Sequence, residues 1–250
     1  MQPSTPTTVL TLDYPGYEER PRITGLIDAG LDCVPLMRAP LPRRPEAIGY
    51  AETLLAARSD ERPVRAIVAY CMTSPIAHEV ARMTAARDGL PVLLVALDGA
   101  PCPDSLVAQE YATLVRRFGG EGPPRVVPTR DELIADPAGV LAAMAAELTE
   151  VATRATADGE PDEITVALVR DLVGKSSDWL TQLVAAHNAL FPPWPGEMLL
   201  IVSRDHPFAG PWPGAAASRV HRVDCSREEL LRHPDTRRYV AEAIGTRRPG

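Results

Sequence analysis

The sequence predicts an α/β fold: a mostly parallel sheet with flanking helices, interrupted by an inserted block of helices. Three observations predict it. Apolar runs of strand length recur at Val64–Tyr70, Pro91–Leu97 and Met198–Val202, and continuous runs of this kind suit strands buried on both faces of a parallel sheet. Helical patterning lies between the first two, at the spacing of strand–helix–strand crossovers. From Pro103 to about Pro192 the pattern is helical throughout, which marks an insertion between two strands.

In chain order, Thr8–Asp13 reads as a first strand running into the turn Tyr14-Pro15-Gly16-Tyr17, and Leu31–Met37 as a second. The proline-rich stretch Ala39–Pro45 leads into a helix over Glu46–Arg58. A strand from Val64 follows and stops at Cys71. Ser74-Pro75 is a helix start, because proline fits the first turn, and Ile76, Val80 and Met83 give that helix its apolar stripe. Pro91–Leu97 is the next strand, closed by Asp98-Gly99-Ala100-Pro101. Helices are expected over Ser105–Phe118, Pro137–Thr156, Glu163–Val173 and Asp178–Leu190. Pro192-Pro193-Trp194-Pro195-Gly196 ends the helical block and Glu197–Ser203 returns to strand. Arg219–Val223 is a short last strand before a helix over Glu228–Ile244. Residues 1–250 read as one domain with a helical lid at about 103–192.

Composition narrows the partners. A chain of 250 residues, 45% hydrophobic and 24% charged, can bury a substantial core. A net charge of -7 lacks the basic footprint that nucleic-acid binding needs. No apolar run is long enough to span a bilayer, and Met1-Gln2-Pro3-Ser4-Thr5-Pro6 lacks the basic start and apolar stretch of a secretion signal. Cys33, Cys71, Cys102 and Cys225 are widely spaced with no Cys-x-x-Cys, so a reduced, cytoplasmic setting is expected. Glycine-rich phosphate loops and ligand-spaced His/Cys/Asp clusters are missing from the sequence; neither cofactor nor metal is expected.

The strand, turn and helix around Cys71 form an elbow of the kind that presents its central side chain above a helix N-terminus. In α/β-hydrolases that pattern is Gly-x-Ser-x-Gly; here it is Ala69-Tyr70-Cys71-Met72-Thr73. Four further segments fall in matching order. Ala77-His78-Glu79-Val80-Ala81 parallels an Ala-Tyr-Glu-hydrophobic-Ala run after the nucleophile, and Leu93–Pro101 a strand ending in Asp with a proline-containing turn. Pro195-Gly196-Glu197-Met198 parallels a Pro-Gly strand entry, and Leu230-Leu231-Arg232-His233-Pro234 the segment after a catalytic histidine. On these residues the chain resembles, over nearly its whole length, the thioesterases of polyketide and nonribosomal peptide synthases and their free-standing type II relatives. The resemblance implies an α/β-hydrolase-like fold. It also implies a small-molecule acyl substrate carried as a phosphopantetheine thioester on an acyl or peptidyl carrier protein. Two departures stand out: cysteine replaces the nucleophilic serine, and Asp224-Cys225-Ser226-Arg227 occupies the place of the family's histidine.

Each candidate residue carries two readings. Cys71 is a nucleophile or a structural cysteine. A thiol has a few per cent thiolate at neutral pH where a serine hydroxyl has essentially none, so cysteine tolerates a weak or displaced base. The Met72 N–H and the turn at Gly16 are the expected oxyanion donors. Asp98 ends a strand, where sites of open α/β sheets gather, and is the family's acid or a turn residue. Asp205 is the alternative acid. His206, after the next strand, is the first candidate for a substitute base. His78, His187, His221 and His233 read as structural. Tyr14 and Arg227 are candidate substrate-binding residues; arginine cannot act as a base, but can hold a carboxylate or phosphate. An acyl-Cys71 thioester would keep its activation, which favours acyl transfer or cyclisation over hydrolysis. The alternatives are a degenerate protein that binds an acyl chain or carrier protein, and a non-covalent cyclase on the same fold.

Overall fold

The computed structural model describes residues 8–15, 22–27, 32–156, 162–208 and 210–245. The chain divides into two compact units. One comprises Met1–Leu41, Ala47–Pro101 and Ala189–Gly250; the other comprises Pro42–Glu46 and Cys102–Asn188.

The first unit holds the sheet. Its strands are β1 (Thr8–Leu12), β2 (Asp32–Pro35), β3 (Val64–Tyr70), β4 (Leu93–Leu97), β5 (Trp194–Val202) and β6 (Ala215–Arg222), in the order β2-β1-β3-β4-β5-β6 with every pair parallel. Burial follows position: β1 and β4 are buried along their whole length and β3 nearly so, whereas the edge strands β2 and β6 are largely half-buried or exposed. That is why the central strands read as unbroken apolar runs. The helices of this unit are α1 (Ala47–Ala56), α2 (Ser74–Asp88) and, near the C-terminus, α7 (Pro234–Gly245).

The second unit is the helical insertion between β4 and β5: α3 (Leu106–Arg117), α4 (Arg130–Ala135), α5 (Pro137–Thr156) and α6 (Glu163–His187). Its packing is tied at Glu147. This buried carboxylate accepts from the Tyr111 hydroxyl at 2.7 Å and from the backbone N–H groups of Arg125 and Val126 at 2.8 and 3.0 Å. Burial opposes its ionisation, but those donors outweigh burial and hold it below the usual carboxylate range. The group's stabilisation is therefore present above its unfolded value of about 4.3 and lost as pH falls below that through the lower folded value. Replacing Glu147 with alanine leaves the buried Tyr111 hydroxyl and two partly buried N–H groups without their acceptor, so a loss of about 2 kcal/mol is expected in urea unfolding at pH 7, shrinking below pH 4.

The structure departs from the sequence expectations in four places. The helices expected over Glu163–Val173 and Asp178–Leu190 are one helix, α6, running through Gly174. Glycine inside a helix costs only about 1 kcal/mol, and the buried C-terminal half of α6 outweighs that. Helix α4 was not expected, although Thr129 and Glu132 bond each other's backbone N–H groups as a capping box. The last two strands begin earlier than expected, at Trp194 and Ala215. The expected helix over Glu228–Ile244 is a 3-10 turn, Leu230–Arg232, then α7. His233, held extended before Pro234, separates them.

The other histidines have structural partners. His78 is fully buried: its Nε2–H donates to the Pro192 carbonyl at 2.9 Å and its Nδ1 accepts the Trp212 indole N–H at 3.2 Å. Burial lowers its proton affinity despite the Pro192 bond. The chain turns tightly beside it at Gly214 (φ +73°), where a Cβ would come within 2.4 Å of the Phe191 carbonyl oxygen. His221 stacks on Tyr239 with ring centroids 4.2 Å apart, the Asp235 N–H donates to His233 Nδ1 at the start of α7, and His187 Nε2 lies 3.4 Å from Asp104 in the helical unit. Among the described residues no helix is long and apolar enough to cross a membrane.

Candidate active site

The parallel register delivers the candidate residues to one edge of the sheet. Leu12 of β1 pairs with Ala69, Tyr70 with Leu97, Leu97 with Ile201 and Val202 with Arg222. The carboxyl ends of five strands thus lie side by side, and the segments containing Tyr14, Cys71, Asp98, Ser203–His206 and Asp224–Arg227 leave the sheet from that edge. Sites of open parallel sheets form at such edges.

Cys71 sits at the turn with φ +55°, between the end of β3 and the 3-10 turn Cys71–Thr73 that enters α2. A left-handed backbone at a non-glycine residue costs free energy of order 1 kcal/mol or more, so neighbouring bonds must hold it. Thr73 supplies them. Its Oγ1 accepts the Tyr70 N–H at 3.1 Å and lies 2.9 Å from the Leu12 carbonyl and 2.8 Å from that of Tyr70. This buried threonine stands where the hydrolase pattern has its second glycine, so the elbow closes through a side chain.

Asp98 follows β4 as Cys71 follows β3, and it too has a positive φ, +46°. Its carboxylate is fully buried. It accepts from the Ser203 backbone N–H at 2.7 Å, and the Ser203 hydroxyl lies 3.0 and 2.9 Å from its two oxygens. Gly99 lets this turn press on the first residue of α2; a Cβ there would meet Ser74 Oγ at 2.4 Å and Ala96 Cβ at 2.7 Å. His206 lies beside the same carboxylate, with Nδ1 3.6 Å from Asp98 Oδ1 and Nε2 3.2 Å from the Gly99 carbonyl oxygen. Both ring nitrogens thus face acceptors. Arg222 secures this loop, donating to the Ser203 carbonyl at 2.9 Å and also reaching those of Arg204 and His206.

Arg227 lies against the Cys71 sulfur, with Nη2 2.6 Å from Sγ. Its turn is fixed from both sides. The Arg204 N–H donates to the Cys225 carbonyl at 3.0 Å, and Glu229 Oε2 accepts from the Ser226 N–H at 3.0 Å and from its hydroxyl at 2.9 Å. Partial desolvation of the otherwise exposed Arg227 works against its charge, yet Cys71 and Tyr70, with Asp98 contributing less, outweigh it and raise its proton affinity above the ordinary value. Burial pushes the Tyr70 phenol up, with Arg227 opposing, so Tyr70 stays neutral beside the pair.

Of the sequence candidates, the structure brings Cys71 and Arg227 into contact, and Asp98 and His206 close to each other. Met72 follows Cys71 in the elbow and is half-buried. Tyr14 follows β1 on the same edge, its carbonyl accepting from Arg22 at 3.3 Å. Gly16 lies outside the described residues, and Asp205 is exposed. Sequence reasoning missed Thr73, Ser203 and the contact of Arg227 with the thiol. The signal for the last was the position of Asp224–Arg227, just after the last strand and in the place where the sequence resemblance leads one to expect a histidine. Among the described residues no group of three or more His, Cys, Asp or Glu side chains could hold a metal ion.

No family model matches the chain, and no curated protein does either. Solved structures do. The RedJ thioesterase of the prodiginine biosynthetic pathway in Streptomyces coelicolor is 16% identical, with a TM-score of 0.52 over 97% of this chain and 90% of its own. The NocB thioesterase domain, solved as a covalent complex with a fluorophosphonate nocardicin G analogue, is 15% identical, with a TM-score of 0.54 over 97% of this chain and 96% of its own. An epoxide hydrolase from metagenomes of hot environments is 16% identical, with a TM-score of 0.51 over 96% and 92%. Together with the six-stranded parallel sheet and the helices inserted after β4, these similarities make the fold α/β-hydrolase-like.

Proposed function

We propose that the protein transfers acyl groups through a thioester on Cys71. The observation that carries the reading is Arg227 Nη2 at 2.6 Å from a thiol presented on a left-handed strand-to-helix turn. A guanidinium beside a thiol favours the thiolate, which is the nucleophilic form. As the thiolate attacks a thioester carbonyl, its charge moves to the carbonyl oxygen about 3 Å away, within reach of the other donors of the same guanidinium. The Met72 N–H, following the nucleophile, is the proposed backbone oxyanion donor, and the turn at Tyr14-Pro15-Gly16 the second. Asp98 and His206 are proposed to shape the opposite wall, with Ser203 and Gly99 holding them. The donor is proposed to be a phosphopantetheine thioester on an acyl or peptidyl carrier protein. Cyclisation within the acyl group belongs to the same reading. A protein that only binds an acyl chain is the competing reading, favoured by the engagement of the Asp98 carboxylate with Ser203.

Incubation with an acyl thioester of N-acetylcysteamine is expected to add the mass of one acyl group, mapped to Cys71 by peptide digestion and absent from Cys71→Ala. An unmodified protein, beside a thioesterase control that labels, would remove the covalent mechanism and leave the binding role.

A further inference from the structure

We infer that Tyr70 is a positioning residue: its hydroxyl holds the Arg227 guanidinium against the Cys71 sulfur and so sets the reactivity of that sulfur. The inference rests on the part given to Arg227 in the acyl-transfer reading and adds the residue through which that part is played.

The geometry begins in β3. Alternation along the strand sends Ala66, Val68 and Tyr70 to one face of the sheet, where they share a buried cluster with Cys225, Leu230 and Leu231. Arg227 leaves the chain between Cys225 and Leu230, so the turn that carries it is anchored on both sides in the cluster that holds the Tyr70 ring. Cys71, the next residue after Tyr70, packs against the same cluster. The guanidinium bonds to both neighbours. The Tyr70 hydroxyl accepts from it, and its Nη2 lies 2.6 Å from the Cys71 sulfur. A planar fork of N–H donors can serve two acceptors at once, and these two stand at fixed spacing because they are consecutive at the end of one strand.

Arg227 needs such a hold. It is a long, flexible side chain on an exposed turn, and freezing it on a single contact costs rotamer freedom. The phenol suits the task because burial keeps it neutral. It takes a hydrogen bond from the guanidinium without cancelling the positive charge, which stays available to the sulfur. A carboxylate in its place would compete for that charge. The phenol bond is also indifferent to the state of the sulfur. Once Cys71 carries an acyl group its charge is gone, and a guanidinium held by the thiolate alone would be released. Held by Tyr70 as well, it stays in place for the carbonyl oxygen and for the thiolate that returns.

The test compares the full chain with Tyr70→Phe, Arg227→Gln and the double variant. Alkylation of Cys71 by iodoacetamide is followed against pH by peptide mapping, which separates it from the other cysteines, and melting temperature controls for folding. Tyr70→Phe keeps the ring and removes only the oxygen. It is expected to move the Cys71 profile upward, by less than Arg227→Gln does, and to add no shift when Arg227 is already glutamine. Acylation by an N-acetylcysteamine thioester is expected to fall about 10-fold, the scale of one hydrogen bond to a charged group. An unchanged profile in Tyr70→Phe overturns the inference, as does an equal shift with and without Arg227, since Tyr70 would then act on its own. Profiles that move as expected in a protein that forms no acyl-Cys71 uphold the positioning role and overturn acyl transfer instead.

Discussion

Cys71→Ser is expected to lose acyl transfer by about 10⁴-fold, close to the effect of Cys71→Ala, because the guanidinium described at this sulfur cannot take a serine's proton. In a hydrolase built on serine, a histidine removes the hydroxyl proton and serine is the stronger design. At this elbow the sulfur is met by Arg227, which favours an anion already formed and cannot create one. The two side chains are nearly equal in size and share the same backbone turn, so thermal unfolding is expected to be unchanged. The measurement is acylation rate against N-acetylcysteamine thioesters, with melting temperature as the control. A serine variant that retains a tenth or more of the activity would point to a base at the site and sink the thiolate account.

Arg227→Gln is expected to slow acylation of Cys71 by about 100-fold or more, the usual effect of removing one oxyanion donor. It is also expected to move the pH dependence of Cys71 alkylation by iodoacetamide upward, because a cation favours the thiolate and a neutral amide does not. The sign follows from linkage: removing the positive charge weakens the charged form of the thiol, so more base is needed to reach it. Arg227→Lys restores the charge without the planar fork and is expected to recover part of the alkylation profile and less of the acylation rate. An unchanged alkylation profile in Arg227→Gln would mean that the contact at 2.6 Å has no electrostatic role.

Much of the architecture was legible because burial writes itself into composition. β4 is apolar at every position since both faces of the sheet are covered, and Ser74-Pro75 marks the start of α2 through the stereochemistry of proline. The boundaries that escaped were those where tertiary packing outweighs a local signal. Gly174 looks like a helix stop, but the buried half of α6 beyond it carries the helix through. The exposed edge strand β6 has no apolar run to announce its first residues.

The site divides in the same way. The sequence by itself determined the elbow, its cysteine, the aspartate at the end of the neighbouring strand and the Asp224–Arg227 segment after the last one, because each lies beside a strand or helix signal in the chain. It could not pair them. That Ser203 bonds the Asp98 carboxylate, that His206 faces Gly99 and Asp98, and that Arg227 reaches across from residue 227 to the sulfur of residue 71 are consequences of strand register. Local patterning fixes which side chains leave the edge of a sheet. Only the folded order of β3, β4, β5 and β6 decides which of them meet, since those contacts span more than 100 residues of chain and no local propensity encodes them.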